Sequence, residues 1–187
     1  MIFTIIAIVL IGSVGIGFAL SQKLRDLHIQ KKVVIKGPVE GVFEQVVFLE
    51  NFPNWSPFLE ADPSQKVEVK GTDGKIGAQY HWLGNKGKDL GYQEIKAIKP
   101  LEYIRLECDI QKPFQAQPVF EYHFQQTDES VNVIQEFSLK SGAIDAFFMW
   151  LFGGNKDIEK MNERGLELLK IAVEKHSQAQ RTLNLAS

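Results

Sequence analysis

Phe52-Pro53-Asn54-Trp55-Ser56-Pro57-Phe58 divides this chain into two kinds of sequence. Its two prolines break any helical period, and its three aromatic rings argue against a loose loop. The segment therefore predicts a short helix and an ordered, aromatic-lined turn. Upstream, Val39, Val42, Phe43, Val46 and Val47 recur at helical spacing behind Pro38, a residue that the first turn of a helix tolerates. Before that helix, Lys32-Val33-Val34-Ile35-Lys36, closed by Gly37-Pro38, reads as a strand.

Downstream the pattern turns to strands, over 66–70, 78–83, 90–98, 103–110, 119–124 and 131–140. They are punctuated by Gly71-Thr72-Asp73-Gly74, Gly84-Asn85-Lys86-Gly87, Lys99-Pro100, Lys112-Pro113 and Thr127-Asp128-Glu129, turn chemistry that implies an antiparallel meander. Successive strand side chains point to opposite faces, which groups Ala78, Tyr80 and Trp82; Ile104, Leu106, Cys108 and Ile110; Phe120, Tyr122 and Phe124; and Val131, Val133, Gln135, Phe137 and Leu139 as the inner face. Apolar residues 144–152, ended by Gly153-Gly154, should pack at the mouth of the sheet or touch a membrane. From Asp157 a long helix is expected, with Ile158, Met161, Gly165, Leu168 and Ala172 as the stripe that covers the sheet. The tail from 179 should fray.

At the other end, residues 2–20 form an uncharged apolar run, followed by Lys23, Arg25, Lys31 and Lys32. As a helix it would be roughly 28 Å long, enough to cross the hydrocarbon core of a bilayer. A cleaved secretory signal is the competing reading, since Gly17-Phe18-Ala19 offers small residues at a cleavage position. The length of the run and the lack of a preceding Lys or Arg favour a retained anchor. The positive charges after it place the following domain in the cytoplasm, as a single-pass membrane protein. The expected organisation is thus a transmembrane anchor over 1–21, a juxtamembrane linker over 22–31, one folded domain over 32–178 and a frayed tail over 179–187.

A formal charge of −2 with interspersed acids and bases gives no broad basic surface, so nucleic acid is not an expected partner. The lone Cys108 forms no internal disulfide, and four scattered histidines offer no metal-ligand spacing, so neither a metal site nor a cofactor is expected.

Several of these residues together resemble the START-like SRPBCC superfamily, in particular its polyketide cyclase/dehydrase and lipid-transport branch. Val39-Glu40-Gly41-Val42-Phe43 resembles the family's opening helix, and residues 52–58 its Trp-Ser-Pro turn, followed by Asp62-Pro63. Gly74 and Gly77 precede the Tyr80 strand as in the family, 95–100 resembles its central strand and turn, and Gly165-Leu166-Glu167-Leu168-Leu169-Lys170 its closing helix. The resemblance covers about 32–175 and implies an α+β helix-grip fold, in which a curved antiparallel sheet wraps a long C-terminal helix around an apolar cavity. The chain departs from the pattern at Gln135, where many relatives carry an aromatic residue. No catalytic group carries over; what the resemblance implies is capture of a hydrophobic small molecule.

The candidate lining or gate residues are Trp55, Phe58, Tyr80, Trp82, Phe120, Tyr122, Phe147 and Trp150, although aromatics at strand spacing more often simply fill a core. Gln135 places an amide on an apolar face, as a ligand contact or as a satisfied core polar group. His81 and His123 fall on the opposite strand faces. Glu94 is the one catalytic candidate: turned inward with Tyr92, its desolvated carboxyl could act in cyclisation or dehydration. The leading expectation is a membrane-anchored binder of a lipid, isoprenoid, quinone or polyketide-like molecule. The alternatives are a cyclase or dehydratase acting on a membrane-partitioned substrate, and a module that docks a membrane-protein partner through 147–150.

Overall fold

The computed structural model describes the backbone of residues 2–185 and the side chains of these except 2, 5, 7–9, 176, 177 and 179–185. Helix α1 (Ile2–Ser21) leads through a single 3-10 turn (Gln22–Arg25) into β1 (Asp26–Lys36). Then follow α2 (Val39–Val47), a 3-10 segment (Leu49–Asn54), α3 (Pro57–Ala61) and the strands β2 (Lys66–Lys70), β3 (Gln79–Gly84), β4 (Asp89–Lys99), β5 (Tyr103–Lys112), β6 (Val119–Gln126) and β7 (Ser130–Lys140). Helices α4 (Ala143–Phe152) and α5 (Gly154–Leu185) close the chain.

The strands form one antiparallel seven-stranded sheet in the order β1-β7-β6-β5-β4-β3-β2, a meander whose last strand returns to pair with the first. The four inward sets read from the sequence share one face, and all their members are buried except the half-buried Trp82, Ile110 and Phe120. Helix α5 lies on this face, with Leu166, Leu169 and Val173 in one core with Ile35, Ile95, Leu106, Tyr122 and Val133. Helix α2 adds Val42, Phe43 and Val46 to the same core. The Ser56 side chain caps α3, accepting from the Leu59 N–H at 3.3 Å, with Pro57 in the helix's first turn.

Two expectations change. Residues 22–31 are not a linker, because β1 begins at Asp26 and pairs with β7 along its whole length, from Asp26↔Lys140 to Lys36↔Ser130. Leu27 and Ile29 do alternate with polar residues at 26, 28 and 30, but Lys31 at an inward position interrupts the pattern before the β-branched half. The covering stripe of α5 is Asn162, Gly165, Leu166, Leu169 and Val173, one residue round from the expected set, and the helix continues through 179–185. Residues 2–21 form the expected 20-residue helix without charge; among the described residues no helix is long and apolar enough to cross a membrane.

Candidate functional site: the inner face of the sheet

The inner face is apolar apart from a small polar group. Tyr80 on β3 stands opposite Gln93 on β4, which in turn stands opposite Cys108 on β5. Two inward rows further along, beyond the row of Ile95, Leu106, Phe120 and Phe137, Tyr122 on β6 stands opposite Gln135 on β7. The Gln135 Nε2 donates to the Tyr122 hydroxyl at 2.9 Å. Asn162 joins from α5: Lys31, the register partner of Gln135, reaches Glu159 at 2.8 Å and Glu163 at 3.8 Å, the two residues that bracket Asn162 on the helix.

Tyr80, Gln93, Gln135 and Asn162 are each more than nine-tenths buried. Among the described residues, Tyr80 Oη, Gln93 Nε2, Gln135 Oε1 and Asn162 Oδ1 have no hydrogen-bond partner. A buried polar atom left unpaired costs about 1–3 kcal/mol, so four on one apolar interior are a substantial expense for a purely structural core. Burial raises the phenols of Tyr80 and Tyr122 well above their ordinary values, the bond from Gln135 working the other way on Tyr122, so both stay protonated donors. The Cys108 thiol is pushed up to about 12 by burial and is inert at neutral pH.

An aromatic chain crosses this interior. Phe52 meets Tyr80 edge-on at 5.0 Å and Trp55 at 4.7 Å, and Trp55 meets Tyr122 at 6.1 Å. The Trp55 indole donates to the Gln45 carbonyl at 2.8 Å, which fixes the ring. Phe120 packs edge-on against Phe137 at 5.2 Å. Trp82 lies over Gly91 so closely that a Cβ there would fall 2.5 Å from the indole and 2.5 Å from the Asp109 carbonyl oxygen. Only a glycine fits beneath that ring.

Trp55, Tyr80, Trp82, Phe120, Tyr122 and Gln135 therefore belong to one interior. Phe58 on α3 is 47% exposed. Phe147 and Trp150 sit on α4 and make their close contacts with α1, Phe147 to Phe18 at 5.8 Å and Trp150 beside Gly17.

The catalytic candidate Glu94 is corrected by the structure. The strand phase that buries Gly91, Gln93 and Ile95 turns Glu94 outward with Tyr92. There it accepts from Lys96 Nζ at 2.7 Å and Gln79 Nε2 at 3.1 Å, and the Lys96 bond holds its carboxyl below the usual range. His81 is on the same outer face, hydrogen-bonded to Gln79 at 2.9 Å and stacked on Tyr92. Among the described residues, the inner face of the sheet carries no Glu or His, and its one carboxylate is the half-buried Asp89, in the phase of Gly91 and Gln93 at the very start of β4, opposite Gly84.

Sequence reasoning missed Gln93 and Asn162. Gln93 shares the phase of Ile95, and Asn162 stands one turn before Leu166; either apolar neighbour would have placed them. Two open concavities lie elsewhere. One of about 850 Å³ spreads over the polar outer face around Arg105, Glu121 and Lys140. The other, about 550 Å³, is a groove lined by Phe43, Val47, Phe48, Ile76, Ile98 and Leu101.

No protein-family model matches the chain. No curated protein matches it in sequence either. Solved structures do match. Protein CV1439 from Chromobacterium violaceum has a TM-score of 0.59 at 14% identity, covering 79% of this chain and 97% of that one. Ara h 8.0201 gives 0.58 at 13%, covering 80% and 99%. DynU16 from the dynemicin biosynthetic locus gives 0.55 at 12%, covering 79% of this chain and 47% of that one. These likenesses establish the fold alone: a helix-grip α+β domain.

Proposed function

We propose that this chain is a membrane-tethered binding protein for a hydrophobic small molecule with an uncharged polar head, held between the sheet and α5. The observation that carries this reading is the set of unpaired buried atoms on Tyr80, Gln93, Gln135 and Asn162. A hydroxyl, carbonyl or quinone-type head could use those donors and acceptors. The surrounding aromatic and aliphatic side chains would remove the ligand's body from water, at about 25 cal/mol per Å² of apolar area. An anionic head is disfavoured, since the inward cation Lys31 is already engaged by Glu159 and Glu163. With no histidine facing inward and the one inward carboxylate, Asp89, at the end of β4 opposite Gly84, binding is favoured over cyclisation or dehydration.

The tether in this reading is α1, charge-free over Ile2–Ser21 and exposing Phe3, Leu10, Ile11 and Ile16. Lys23 and Arg25 just beyond it favour a cytoplasmic domain. Tethering would let a ligand leaving the bilayer meet the site at high effective concentration.

The test is native mass spectrometry of the full chain released from lipid nanodiscs, with extraction of any adduct, followed by exposure to a ubiquinone, a diacylglycerol and oleate. A stoichiometric neutral adduct, retained less by Gln135→Leu, is the expected result. A chain that stays unliganded with all three, or that retains oleate alone, would overturn the reading.

A further inference from the structure

Helix α4 carries a single charged residue, Asp145, in the sequence Ala-Ile-Asp-Ala-Phe-Phe-Met-Trp-Leu-Phe, and is apolar on more than one side. One side is covered by the end of α1 and the turn after it. Ala146 is fully buried, Phe147 meets Phe18, Trp150 lies against Gly17, and Gln22 Nε2 donates to the Ala143 carbonyl at 3.4 Å. The other side consists of Ile144, Phe148, Leu151 and Phe152, at helical spacings of four, seven and eight, and these are 50–75% exposed. A helix apolar all round is ordinarily buried all round.

We propose that the exposed side of α4 lies in the surface of the bilayer that α1 enters, with Ile144, Phe148, Leu151 and Phe152 among the lipids. This rests on the membrane reading of α1 given above. Three observations favour lipid as the occupant. The end of α1 that packs on α4 is itself apolar and exposed, at Phe18, which meets Phe147, and at Leu20. Exposed Lys23, Arg25, Lys140 and Lys156 flank both ends of α4, placed to meet headgroup phosphates while the apolar face enters the acyl boundary. Phe114, exposed on the β5–β6 connection, is at the same end of the sheet, since Lys112 and Val119 pair close to the end at which Asp26 meets Lys140. Two attachments, one crossing and one lying flat, would fix the domain's tilt on the membrane.

The test uses the full chain in vesicles of phosphatidylcholine with a minority of phosphatidylglycerol. Buried Cys108 leaves an introduced cysteine as the reactive thiol. Nitroxide labels at Phe148→Cys on α4, Ile11→Cys on α1 and Glu167→Cys on the solvent side of α5 are compared by collision with oxygen and with a nickel chelate. The inference expects the oxygen-to-nickel ratio at 148 to exceed that at 167 several-fold, as at 11. A lipid-like ratio at 11 with a water-like ratio at 148 would overturn the inference and leave the anchor standing. Water-like ratios at both would overturn the anchor and the inference together. Shielding of 148 from both reagents would mean a protein cover, such as a second copy, and would also overturn it. Should the label at 148 disturb folding, Phe152→Cys reports the same face.

Discussion

Tyr122 and Gln135 satisfy one another only in part, and that asymmetry can be measured. Tyr122→Phe leaves the whole Gln135 amide unpaired, and Gln135→Leu leaves a buried hydroxyl alone, so each should cost about 1–3 kcal/mol in urea unfolding. The double variant should lose far less than the sum, because removing both partners removes both orphans; additive losses would show that the bond is not formed. On the outer face, burial and then Lys70 lower the His81 pKa from its ordinary 6.5. The unfolded chain then binds this proton more readily, so stability contributed by His81 is full above pH 6.5 and declines on acidification towards its folded value. His81→Gln should flatten that part of the stability–pH curve; an unchanged slope would assign it to other groups. Gln135 was legible in the sequence because it interrupts an otherwise apolar alternation. Gln93 was not, because its neighbours Tyr92 and Glu94 offer an equally plausible inward set until pairing with Tyr80 decides the phase.

At the scale of elements, α5 shows how a small error in phase changes the chemistry. Taking Ile158, Met161, Leu168 and Ala172 as its inner stripe turns the helix by one residue and hides Asn162. The correct face follows from Leu166, Leu169 and Val173, whose burial depends on the sheet and not on helical period alone. Gly165 lies on that face with Pro57 atoms 3.6 Å from where a Cβ would stand, an ordinary contact distance. Gly165→Ala should therefore stabilise the domain by up to about 1 kcal/mol through helix propensity, seen as a rise in Tm; a fall would mean that the helix is held closer to α3 than this distance implies. Gly91→Ala should do the reverse, costing about 1–3 kcal/mol or more, since its methyl group has nowhere to go between Trp82 and the Asp109 carbonyl. The strands were read within a residue or two wherever alternation was clean. β1 is legible only in its β-branched half, because the inward Lys31 breaks the apolar pattern and pairing with β7 holds the residues before it.

For the whole molecule, the order of elements implies an antiparallel meander with a covering helix, and the family resemblance implies its helix-grip arrangement, while the polar content of the interior depends on registers that only the assembled sheet defines. On the proposed membrane placement, the chain should remain with membranes through alkaline carbonate and leave only with detergent; release by carbonate alone would exclude a crossing α1. One feature of the connection has a mechanical result. α1 ends at Ser21 and β1 starts at Asp26, joined by four residues in a 3-10 turn, and β1 is hydrogen-bonded to its neighbour from its first residue. At about 2 Å per residue the joint is roughly 8 Å long, with no slack. With α1 in a bilayer, the domain would be a turret and not a ball on a leash. It would explore a plane by lateral diffusion, at fixed height, and any rotation of the helix would turn the sheet with it. The groove formed by Phe48, Ile76 and Leu101, at the opposite end of the sheet, would then face permanently away from the lipid, open only to what arrives from the aqueous side.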